Sequence, residues 1–255
     1  MFRPSPASRL IPLPSLRALI WLCFYTLIMV AWLGLVLLVR QDQSAPTGFW
    51  QSLCLPATSA GLAPLWGMWA LMSAAMMLPT FAPTLATYLD LGQAGATRGR
   101  EAAALIVGYL AVWLGASIFG ALVQLALSSV AGAATSTVVT VVLLAIAGLY
   151  QLSPAKAACL AKCRMPLTYF LGRWRPGVVH AARMGGELGL ICLGCCWALM
   201  LLGLIGGAMS LVWMGAATLF MIFEKLPDLG RVLTRPAGYA LLAAAGLTAL
   251  SAVWI

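Results

Sequence analysis

Charged positions along this chain fall in clusters, separated by long apolar runs. Asp, Glu, Lys and Arg are absent from residues 18–39, 43–89, 102–155, 188–223 and 236–255. A membrane-crossing helix takes roughly 20 mostly apolar residues, so the first and last runs each predict one span. The third run predicts two, parted near "SSVAGAATST" at 128–137. The fourth predicts two short ones, with a turn at "GGAMS", 206–210. The second run opens on the polar, Pro-containing "QSAPTGFWQSLCLPATSAG" and therefore predicts a single span, from about Leu62 to Leu89. The pattern is that of an all-α polytopic bundle of about seven transmembrane helices.

The basic residues orient that bundle. Lys and Arg gather at the N-terminus and in 90–101, 153–186 and 225–236, with Arg40 as the exception. Seven alternating spans put those four segments on one side, which the positive-inside tendency makes cytoplasmic. The expected organisation is a cytoplasmic tail over 1–17 and one helical membrane domain over 18–255, with a basic cytoplasmic segment at 153–186. The first apolar run exceeds the 7–15 residues of a signal-peptide core and no small-residue cleavage site follows it, so it reads as a retained helix. GxxxG spacing at Gly185/Gly189 and Gly203/Gly207 favours close helix packing.

Composition agrees. Of 255 residues, 63% are hydrophobic and 8% charged, against about 25% charged in a soluble domain. The net charge of +9 follows from the topology signal and from attraction to anionic headgroups. It calls for no nucleic-acid partner. No Ser has a His and an acid to form a triad and no HExxH occurs, so nothing points to a hydrolase; no phosphate-cradling glycine loop is present, which argues against a nucleotide-driven pump.

The chemistry lies in sulfur. "ELGLICLGCCWALM", 187–200, puts Cys192, Cys195 and Cys196 on one helical face, because spacings of three and four share a face. "LSPAKAACLAKCRMP", 152–166, predicts a short basic helix with Ser153 as N-cap, Pro154 at its first position and Pro166 at its stop. It carries Cys159 and Cys163 one turn apart. "MWALMSAAMMLP", 68–79, lines up Met68, Met72 and Met76, with Met77 at the border and Pro79 and Pro83 following. Cys is also a small hydrophobe and Met a gap-filler, but packing alone gives no reason to choose three adjacent thiols over Ala or Gly.

Thiolates and thioethers select Cu(I) over hard cations, with zinc as the second choice where thiolates dominate. Cys192, Cys195, Cys196, Cys159, Cys163, Met68, Met72, Met76 and Met77 are therefore the candidate ligands. Cys23 and Cys54 have no partner at helical spacing, and the lone His180 reads as an interfacial residue. The Met helix and the thiol helix are expected to face each other, giving a graded path from weak to tight ligands. Two rival readings stand beside this one. The first is thiol–disulfide redox chemistry at the Cys192–Cys195 pair. The second is a non-catalytic accessory subunit of a membrane complex.

The segments "MWALMSAAMMLP", "YQLSPAKAACLAKCR", "WRPG", "RMGGELGLICLGCCWALM" and "FEKL", between residues 68 and 226, together resemble a bacterial family of predicted metal-binding integral membrane proteins of unknown function, sometimes described as copper chaperone-like. The resemblance implies a multi-pass membrane fold and a metal-handling role, with copper as the inferred ion; the inner membrane is the expected location, and the residues themselves point to no enzyme. The resemblance also implies the Cys and Met positions above as ligands. The expected partners are lipid and a copper-receiving membrane or periplasmic protein.

Overall fold

The computed structural model describes residues 15–43, 61–92, 99–129, 133–205 and 211–253. Among them every regular element is helical. In order these are α1 (Leu16–Gln43), α2 (Leu62–Gly92), α3 (Gly99–Ser129), α4 (Ala133–Gln151), α5 (Pro154–Arg164), α6 (Pro166–Arg173) and α7 (Val178–Leu201). A 3-10 turn (Leu202–Leu204), α8 (Leu211–Lys225) and α9 (Pro227–Val253) complete the chain. The turn expected at 206–210 and Cys54 lie outside the described residues, as do residues 130–132 of the break expected at 128–137.

A helix stands at each of the seven positions that the charge-free runs mark. Four of them, over Leu16–Arg40, Leu62–Gly92, Gly99–Leu127 and Val178–Leu204, are long and apolar enough to cross a membrane. A fifth candidate is the bent pair Thr137–Gln151 with Pro154–Arg164, which turns through 61°. α8, with 15 residues, is short for a crossing of roughly 20. The described residues thus form an all-helical bundle with four to five helices of membrane-spanning character. Its outer faces suit lipid: α1 exposes Leu22, Met29 and Leu33, and α9 exposes Leu247 and Leu250.

The tightest helix pair is α3 with α7. A Cβ placed on Gly185 would stand 2.0 Å from Leu105 O, and one on Gly108 would stand 2.0 Å from Ala182 O. The two backbones touch, which only glycine allows. The Gly185/Gly189 spacing is therefore a packing motif here, as small residues are in membrane helices generally. α7 starts at Val178, nine positions before Glu187, because Glu187 is partnered there by Arg173, Arg183 and Tyr169 and does not stop the helix.

α2 continues through Pro79 and Pro83. A helical proline releases the carbonyl four residues earlier, and for Pro79 that is Ala75 O. Trp32 Nε1 of α1 donates to it at 3.1 Å, so the helix break is satisfied by a neighbour. α2 packs on α1, α3 and α8, and α7 packs on α3, α5 and α4.

α5 begins as its sequence predicts. Ser153 is its N-cap, with Oγ accepting from Lys156 N at 3.2 Å, and Pro154 follows. It ends before Pro166, where α6 starts. Its position is less expected. The chain bends after α4 and lays α5 against the middle of α7, although its basic composition suggests a helix in water. A buried ion pair holds it: Lys156 Nζ lies 2.9 Å from Glu224 Oε2 on α8, each only 1% exposed. Gln151 bonds both partners. Arg164 Nε and Nη2 donate to Glu224 O at 3.1 and 2.9 Å.

Candidate metal centre

α7 presents Cys192, Cys195 and Cys196 to the interior, and all three are buried. Their sulfurs lie within 4.8 Å of one another, the closest being Cys195 Sγ and Cys196 Sγ at 3.2 Å. Two sulfurs on one metal, each bonded at roughly 2.3 Å, stand roughly 4–4.6 Å apart from trigonal to linear geometry. The three thiols are already at that scale. Modest side-chain rotation would open them around an ion.

α5 adds to the group. Cys163 Sγ lies 3.8 Å from Cys195 Sγ. Cys159, one turn earlier, rests against Gly194, where an added Cβ would stand 2.8 Å from its sulfur. The Gly of "CLGCC" is the space that lets α5 approach. The two cysteine clusters of the sequence are thus one neighbourhood, spanning two helices.

Polar groups surround Cys192. Lys225 Nζ, at the end of α8, donates to Cys192 Sγ at 3.1 Å and to Thr80 Oγ1 at 2.7 Å. The Tyr109 hydroxyl lies 3.0 Å from the same sulfur and 3.2 Å from Met77 O. Phe81 stacks on the Tyr109 ring, with centroids 4.1 Å apart, which holds the phenol in place. Thr80, Tyr109, Cys163, Cys192 and Lys225 border a cavity of about 20 Å³. A single water needs about 10–15 Å³, so the space admits one small species.

A family model described as "PpoB2: Copper chaperone" matches residues 66–248. The chain belongs to the PpoB2 copper chaperone family. No curated protein and no solved structure matches it.

For a PpoB2 protein the donor set is apt. Soft sulfur ligands converge at this point, and the nearby carboxylate Glu224 is engaged by Lys156, so a hard cation finds no oxygen cage. A soft metal ion fits what is there. His180 is exposed, away from the sulfurs.

The methionines are placed differently from the expectation. Met72, Met76 and Met77 are buried and Met68 is partly so. Yet α2 does not lay a broad face on α7, because α3 packs closely on both. α2 meets the thiols through Thr80 and Phe81 instead, and Met72 reaches the 3-10 turn, its Cε 3.3 Å from the position of a Gly203 Cβ. Sequence reasoning missed Lys225 and Tyr109 as neighbours of the site. "FEKL" was a signal for the first. Tyr109, in the middle of an apolar run, left none.

Proposed function

We propose that this protein binds Cu(I) at Cys192, Cys195 and Cys196, with Cys163 and then Cys159 as the neighbouring thiols through which the ion is handed on. The reading places it in the bacterial inner membrane with seven spans and a cytoplasmic N-terminus. There it serves copper transfer or transport without catalysing a reaction. The recipient is a copper-accepting membrane or periplasmic protein.

One observation carries the reading: three buried thiols of α7 meet a fourth from α5 and an ammonium from α8. Two thiolates on Cu(I) leave a net charge of −1, and Lys225 brings the group to neutrality. A buried, uncompensated charge costs several kcal/mol, so Lys225 favours thiolate at this site. A thiol also loses its proton when it binds metal, which couples loading to pH.

The test of ion identity is competition. The reduced protein in detergent should hold one Cu(I) against a chromophoric Cu(I) chelator while surrendering Zn²⁺ to a weak zinc chelator; tighter retention of zinc would overturn the assignment. Orientation is tested with an impermeant thiol reagent and Arg175→Cys, an exposed position, in a Cys54→Ser background, because Cys54 falls in the segment expected outside. Labelling only after permeabilisation is expected, and labelling of intact cells would reverse the topology.

A further inference from the structure

Thr80 and Lys225, bonded at 2.7 Å, fix the register of α2 against α8. The helix directions follow from α7. Cys192 of α7 lies beside Thr80 and Lys225, whereas Met72, two turns earlier on α2, reaches Gly203 beyond the end of α7. α2 therefore runs antiparallel to α7. α8 starts a short link after Ile205, within reach of that same end, and meets Cys192 only with its last residue. It too runs antiparallel to α7, so α2 and α8 are parallel, and they pack on each other.

Positions four apart on a helix share a face. Four before Thr80 is Met76; four before Lys225 is Met221. These two residues stand at one level of the α2–α8 seam, about 6 Å from the Lys225–Thr80 bond, and they are 2% and 1% exposed. Met72 and Met214, further from the thiols on the same two helices, are buried as well, and Met72 turns its methyl to Gly203. Only Met72 and Met76 stand out in the sequence, because Met214 and Met221 are dispersed through an apolar stretch.

We infer that the α2–α8 seam is a second soft-metal site, in which Met76 and Met221 hold Cu(I) through their thioethers. The inference rests on the copper reading above. Neutral thioethers leave the ion its charge one helical turn from the Lys225 ammonium, so they hold it more weakly than thiolates and the site is one of transit: copper exchanges with Cys192 by ligand replacement, the metal staying Cu(I) throughout. Lys225 marks the boundary: it touches Cys192 on one side and its own helix carries Met221 one turn away.

The experiment uses the full chain labelled with selenomethionine, reduced, kept anaerobic and titrated with Cu(I). Selenium-edge X-ray absorption should show copper scattering once the thiol site is filled. Met221→Leu, a volume-conserving change, should remove that signal and lower the copper capacity by one equivalent, while the thiol site still loads and helicity and melting stay unchanged. Thiol-bound copper with no selenium–copper scattering in the unsubstituted protein overturns the seam site and leaves the thiol site standing. A capacity unchanged by Met221→Leu and by Met76→Leu overturns it equally. Should either variant fold poorly, the selenium spectrum of the unsubstituted protein decides alone. No copper bound at all overturns both readings.

Discussion

Cys163 Sγ of α5 stands 3.8 Å from Cys195 Sγ of α7, across 32 residues of sequence. That contact joins two motifs that the sequence keeps apart, and it makes the short helix part of the candidate metal centre. Cys163→Ser should therefore weaken Cu(I) retention by about tenfold or more, the range seen when a group supporting a metal site is lost. Cys23, exposed on α1, and Cys54 should be silent as Ser variants. Chelator competition reads all three, and a loss at Cys23 or Cys54 equal to that at Cys163 would redraw the site.

Lys225→Met removes the positive charge 3.1 Å from Cys192 Sγ and leaves the loaded site with an uncompensated negative charge. Copper affinity should fall by at least about tenfold, the equivalent of about 1.4 kcal/mol. Helicity should not change. Unaltered affinity would show that Lys225 serves Thr80 alone.

The Lys156–Glu224 pair holds α5 in place, and its members are buried together. Glu224→Gln leaves a buried ammonium without its counter-charge, a loss of about 3–5 kcal/mol. Replacing both residues by Met should cost less than Glu224→Gln alone, because no charge is stranded. Thermal unfolding in detergent orders the two variants, and the reverse order would mean that the pair is not buried.

Gly185→Ala puts a methyl into Leu105 O of α3. Overpacking costs about 1–3 kcal/mol, and a backbone carbonyl yields less than a side chain, so the effect belongs at the upper end. Gly115→Ala, with nothing within 4 Å of the added carbon, is the matched control. Equal melting points for the two would contradict the α3–α7 contact.

Much of this was readable from the residues. Runs free of charge marked every long helix, since an uncompensated charge in lipid is costly, and spacings of three and four placed Cys192, Cys195 and Cys196 on one face. The position of α5 was not readable. Lys156, Lys162 and Arg164 gave it the composition of a helix in water, and what draws it inward is Glu224, 68 residues beyond Lys156. Periodicity reports which face of a helix is apolar, not which distant helix covers it. The same limit hid Tyr109, 83 residues from Cys192. It also hid that the methionine helix, expected to face the thiol helix, meets the thiols through Thr80 and Phe81.

The central claim is that the α7 thiols hold copper, and metal content tests it most directly. The protein is purified reduced and without oxygen beside a variant with Cys192, Cys195 and Cys196 all changed to Ser, and both are assayed for copper and zinc. The account predicts stoichiometric copper in the unsubstituted protein, lost from the variant while helicity persists. Copper absent from both, together with a disulfide between Cys192 and Cys195 that forms and reopens with redox poise, would contradict it.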